Sequence, residues 1–149
     1  MKGLFVINSL EGGGAEKVFV TLISLIESDK SKNYCFHVVI LDDFVEEYAL
    51  PENIIVHRLG NSFGKIGQLI KFLNLVWKLK PNFVFSFLFR SNHFNAIAST
   101  IFQYKCILSE RSNTNGRIRG HFQYLKKILV KTIFRRADVI VAVSKGVGE

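Results

Sequence analysis

Acidic residues almost vanish from the middle of this chain. Between Glu52 and Asp138 one acid, Glu110, stands among fifteen bases, although the first 52 residues mix the two signs and hold nine acids. Cysteine is scarce as well. Cys35 and Cys106 fall in separate predicted strands, with no second Cys or His at metal-ligand spacing. That excludes a disulfide framework and a zinc ribbon, and it leaves two reduced core thiols as the expectation. Proline occurs only at Pro51 and Pro81, and no Pro/Gly/Ser linker or internal repeat divides the chain. Lysine or arginine interrupts every apolar stretch before the ~20 residues that a membrane span needs. Met1-Lys2 and the apolar residues after it run into Glu11-Gly12-Gly13-Gly14 without a small-residue cleavage site, so they read as a first strand and not as a leader.

What is present is apolar. Of 149 residues, 48% are hydrophobic, enough for one sizeable core and a single domain. Short apolar runs predict strands over Lys2–Ile7, Cys35–Leu41, Ile54–His57, Phe83–Phe87, Lys105–Leu108 and Val139–Val143. Helical patterns cover Ala15–Glu27, Lys65–Leu79, Asn92–Phe102 and Ile118–Arg136. The alternation implies an α/β fold of Rossmann-like, doubly wound type: a mostly parallel sheet with helices on both faces. Ligands in such sheets bind outside the carboxyl ends of the strands. That rule selects Asn8–Gly14, Asp42–Phe44, Phe87–Asn95, Ser109–Asn115 and Ser144–Lys145.

Gly12, Gly13 and Gly14 lie where the first strand passes into the first helix. Glycine permits positive φ and a close ligand approach, and helix N-terminal amides attract phosphate. The same triplet also serves a plain tight turn. After the fourth strand, Arg90 can grip a phosphate or carboxylate through two parallel hydrogen bonds. Asn92 and Asn95 suit sugar hydroxyls, and Asn92 equally suits a helix N-cap. His93 is either a site residue or a surface histidine. After the fifth strand, Glu110 is either a salt-bridge partner of Arg111 or Arg90 or a site carboxylate that orients a base or accepts from hydroxyls.

The helix Lys65–Leu79 carries Ile66, Leu69, Ile70, Leu73, Val76 and Trp77 on one face, widened by Phe72, Leu75 and Leu79. Lys71, Asn74 and Lys78 form its narrow polar side. A broad apolar face flanked by bases suits either packing within the protein or a membrane interface. The one-sign field as a whole points to an anionic partner.

Gly-Gly-Gly-Ala-Glu16-Lys17, Ser86-Phe-Leu-x-x-Ser-Asn92, Ser109-Glu-Arg-Ser-Asn113 and Ala137-Asp138-Val-Ile-Val-Ala-Val-Ser144 together resemble the N-terminal half of a family 4 retaining glycosyltransferase of the GT-B fold. The nearest flavour is the bacterial enzymes that extend undecaprenyl-diphosphate-linked glycans in cell-surface polysaccharide assembly. The resemblance covers essentially the whole chain. It implies an acceptor-binding domain over 1–149, with the donor-binding domain and its glutamate pair lying outside these residues. It further implies transfer from a nucleotide-sugar without a cofactor or essential metal. The 149 residues alone are then expected to be inactive.

By the same resemblance, Glu110 and Arg111 are the candidate catalytic pair. Arg111 stands where relatives often carry histidine. Gly12, Gly13, Gly14 and Glu16 form the donor phosphate loop, and Arg90, Asn92, His93, Asn95 and Asn113 hold the acceptor. An acceptor anchored in lipid implies a cytoplasmic protein, peripheral on the inner face of the cell membrane. Lys65, Lys71, Lys78, Arg117, Arg119, Lys126 and Lys127 would then meet the anionic surface. Two other readings remain. A dinucleotide-binding oxidoreductase domain would use Asp42 or Asp43 on a ribose, but Lys17 stands where the fingerprint Gly-x-Gly-x-x-Gly needs its third glycine. A nucleic-acid module is allowed by charge but lacks its usual motifs, and no nucleic-acid partner is expected.

Overall fold

The computed structural model describes residues 1–29, 35–61, 64–110 and 135–142. Six strands form one sheet: β1 (Lys2–Ile7), β2 (Cys35–Ile40), β3 (Ile55–Arg58), β4 (Phe83–Phe87), β5 (Lys105–Glu110) and β6 (Val139–Ala142). Their order is β3-β2-β1-β4-β5-β6, and every pairing is parallel. Strand order reverses between β1 and β4, so their carboxyl ends open the crevice where α/β sheets bind ligands.

Period-2 alternation in the strands splits the core in two. Phe5, Ile7, Val38 and Ile40 face α1 (Gly14–Ser28), which buries Phe19 and Ile23 against them. Leu4, Val6, Val39, Leu41 and Val84 face the other way. They pack with Phe72 and Val76 of α2 (Gly64–Leu79) and with Phe94 and Ala98 of α3 (Phe89–Ile101). Phe19 meets Phe87 edge-on, with ring centroids 5.1 Å apart. The doubly wound expectation therefore holds, with α1 on one face and α2 and α3 on the other.

Three expectations are corrected. α3 begins at Phe89, so Asn92 lies inside the helix and is not its N-cap. Cys106 is buried but Cys35 is exposed, because it is the first residue of β2. On α2 the inward residues are Gln68, Phe72 and Val76, while Ile66, Ile70 and Trp77 are exposed by 78%, 54% and 60%. The apolar surface of α2 is wider than the sheet can cover, and the excess faces outward. The predicted helix Ile118–Arg136 falls almost wholly outside the described residues.

Candidate functional site at the carboxyl edge

The loop after β1 and the start of α3 after β4 meet at the reversal point. Asn8 Oδ1 accepts a hydrogen bond from the Ser91 amide at 3.1 Å, which ties the β1 exit to the first turn of α3. Leu88, between β4 and α3, has φ 73° and ψ 159°. A leucine in that glycine-like region stores about 1–3 kcal/mol of strain. Asn92 N–H donates to the Leu88 carbonyl at 3.0 Å, and the Ser91 hydroxyl bonds back to the carbonyls of Phe87 and Leu88. Those bonds hold the strained turn and start α3 close under the sheet edge.

Gly12 has φ +114°, as expected of the loop glycine, and a side chain there would meet the Glu47 carboxylate. The Glu47 amide donates to the Leu10 carbonyl at 2.9 Å, which brings the loop after β2 against the glycine loop. Gly13 is the N-cap of α1 without a side-chain cap, and the Glu16 carboxylate lies beside it. A carboxylate in the first turn is favourable to the helix dipole. The protein's own carboxylates thus border the loop on two sides, and the first helical turn is open at Gly14.

Arg90 is at the edge as expected, and the anion beside it is Asp42. Asp42 is 9% exposed, and its Oδ1 also accepts from Gln68 Nε2 at 3.5 Å. Arg90 Nε and Gln68 Oε1 are buried without a partner. The oxidoreductase reading had Asp42 hold a ribose. Burial and the pair with Arg90 take that carboxylate away from any ribose. Asp43 is exposed.

Asn92 and Asn95, expected to bind sugar hydroxyls, have their side chains engaged within the protein. Both are buried. Ser86 Oγ donates to Asn92 Oδ1 at 2.8 Å, and Asn92 Nδ2 donates to the Ser109 carbonyl at 3.0 Å. Asn95 Nδ2 reaches the Val84 and Ile107 carbonyls at 3.1 Å and Ser86 Oγ at 3.0 Å. Tyr104 OH donates to the Asn95 side chain and carbonyl at 3.0 and 2.8 Å, and its burial pushes the phenol far above its usual range. This polar seam joins β4, β5 and α3.

His93 is half-buried, with its ring against Phe89 at 4.1 Å and Nδ1 at 2.6 Å from the Phe89 carbonyl. Glu110 ends β5 in register with Ala142, so its backbone lies on the carboxyl edge. Arg111, Asn113, Arg117, Arg119, Lys126 and Lys127 lie outside the described residues. Lys65 is exposed on α2 and Lys78 sits in its last turn. Lys71 Nζ donates to the Leu59 carbonyl at 2.8 Å. His57, Arg58, Lys71, Asn74 and Lys78 line an open groove of about 530 Å³ beside β3. Among the described residues no group of side chains could hold a metal ion, and no helix is long and apolar enough to cross a membrane.

Gln68 had no place in the sequence reading, and Asp138 entered it only as part of a motif. Gln68 is polar in an apolar helix face and is 1% exposed, a signal of a buried network. Asp138 Oδ2 accepts from the Cys106 amide at 2.7 Å, which gives the Ala137-Asp138 segment a structural role in docking β6.

No family model matches the chain. In an alignment 158 positions long that covers 97% of this chain, it is 30% identical to an N-acetylgalactosamine-N,N'-diacetylbacillosaminyl-diphospho-undecaprenol 4-alpha-N-acetylgalactosaminyltransferase of Campylobacter jejuni. It spans 41% of that relative. Among solved structures, the lipopolysaccharide outer core galactosyltransferase WaaB superposes with a TM-score of 0.69 at 17% identity, over 99% of this chain and 40% of that one. The UDP-GlcNAc 2-epimerase of Methanocaldococcus jannaschii superposes with a TM-score of 0.68 at 15% identity, over 99% and 40%. In fold, this chain is one Rossmann-like half of the GT-B glycosyltransferase architecture.

Proposed function

We propose that this chain is the acceptor-side half of a family 4 retaining glycosyltransferase, which moves a sugar from a nucleotide-sugar to an undecaprenyl-diphosphate-linked glycan. The observation that carries the reading is the Campylobacter relative. Its name specifies a diphospho-undecaprenol acceptor, and the similarity runs through 97% of this chain. The crevice between β1 and β4, with its glycine loop and strained α3 start, is where such a fold binds ligands. Glu110 and Arg111 are the proposed catalytic pair, and the glycine loop approaches the donor from the acceptor side. Transfer requires both halves, because the reacting groups must be held in one geometry, so the 149 residues alone turn over no sugar nucleotide.

The acceptor's lipid places the reaction at a membrane surface. α2 supplies a fitting contact. Ile70 and Trp77 follow Ile66 by four and eleven residues, which puts the three on one stripe of the helix. All three are exposed, and Lys78 and the groove beside β3 flank them. Bases near an anionic surface contribute about 1 kcal/mol each, and a tryptophan at the interface adds shallow insertion. Incubation of a longer protein, in which this chain is joined to a donor-binding half, with labelled nucleotide-sugars and a lipid-linked glycan tests the reading. Label in the lipid fraction supports it. Label found in an epimerised sugar nucleotide and not in the lipid fraction refutes it and favours an epimerase, since one shares the fold.

A further inference from the structure

Arg90 is the base that the sequence placed at the carboxyl edge as an anion holder, and the structure supplies its anion from within. Asp42 is fixed from three sides. Its amide donates to the Asn8 carbonyl at 2.8 Å. Its Oδ1 accepts from Gln68 Nε2 at 3.5 Å, and its Oδ2 accepts from Arg90 Nη2. Gln68 is itself anchored on the Leu41 carbonyl and, at 3.1 Å, on that of Gly60. The carboxylate is thus held between Gln68 and Arg90.

This pairing changes what Arg90 can recognise. A guanidinium grips phosphate by presenting two parallel N–H groups. Here one Nη is turned to Asp42, and Nε is buried away from any ligand. The pair has no net formal charge, so an incoming anion meets repulsion from Asp42 along with attraction to Arg90. An uncharged hydroxyl meets no such opposition and needs only one donor.

We propose that Asp42 is a specificity-determining residue: by engaging Arg90 it closes that guanidinium to phosphate and leaves this edge of the crevice to the hydroxyls of a neutral sugar. The proposal rests on reading the crevice as the acceptor side of a glycosyltransferase. It assigns the acceptor's diphosphate to other bases.

The test uses the 149-residue chain, arginine side chains labelled with nitrogen-15, and inorganic pyrophosphate. In the wild type the Arg90 Nε–H resonance stays unmoved as pyrophosphate is added. Asp42→Asn keeps the shape and removes the charge. In that variant the resonance shifts saturably, and affinity rises about tenfold, the worth of one charge-assisted hydrogen bond. A saturable Arg90 shift in the wild type overturns the proposal, as does an Asp42→Asn chain with unchanged or weaker affinity. The wild-type measurement needs no variant and decides by itself if Asp42→Asn fails to fold. Neither readout involves turnover, so a failure of sugar transfer in the longer protein leaves this result standing.

Discussion

His37 Nδ1 lies 3.0 Å from His57 Nε2, with the two rings stacked 5.2 Å apart, and this contact joins β2 to the edge strand β3. One ring donates and the other accepts, so the bond exists only while at least one ring is neutral. Burial lowers the pKa of His37 below 6.5, helped by the charges of His57 and Lys2, and burial also lowers that of His57. Below 6.5 the unfolded chain therefore binds more protons than the folded one. The stability from this pair is fully present above 6.5 and is lost as pH falls through the lowered folded values. Thermal unfolding should show Tm falling as the pH drops below about 6.5. His37→Asn should remove most of that slope, and an unchanged slope would contradict the assignment.

Asn95 should behave as a structural residue. Its amide satisfies the Val84 and Ile107 carbonyls and Ser86 Oγ inside the protein. Asn95→Leu leaves buried acceptors unpaired and should cost about 1–3 kcal/mol in denaturant unfolding. A fully stable variant with impaired ligand binding would instead return Asn95 to the acceptor site.

The two thiols should differ sharply. Cys106 is buried, and burial raises its pKa to about 11, so it should resist a thiol reagent until the protein unfolds. Cys35 is exposed and should react in the native state. Equal protection of both would contradict the exposure of the first residue of β2.

Much of the fold was legible because parallel strands and their helices write their pattern locally. Leu4 and Phe5 already separate the two faces of the sheet. The site was less legible, because its key relations are long-range. Nothing near Asp42 in sequence says that it meets Arg90, 48 residues away. Asn92 looked like a cap because the strained Leu88 turn, which starts α3 three residues earlier, leaves no mark on a leucine. The sequence left the side of Trp77 open because its helix is apolar nearly all round, and only packing decides which side turns in.

Gly12 should resist substitution. Its φ of +114° is strained for any residue with a Cβ, and that Cβ would meet Glu47. Gly12→Val should lower stability by about 1–2 kcal/mol or more. The measurement is the denaturant midpoint, and an unchanged midpoint would show that the loop relaxes freely.

As proposed above, sugar transfer at this crevice is assembled from two halves. It is tested most directly by following labelled nucleotide-sugar into a lipid-linked glycan with three proteins: the 149-residue chain, the longer protein, and the longer protein carrying Glu110→Gln. The expected outcome is no transfer by the first, transfer by the second, and a loss of about 100-fold or more by the third, the scale of a positioned acid–base group. Transfer by the 149 residues alone, or full activity of Glu110→Gln, would contradict it.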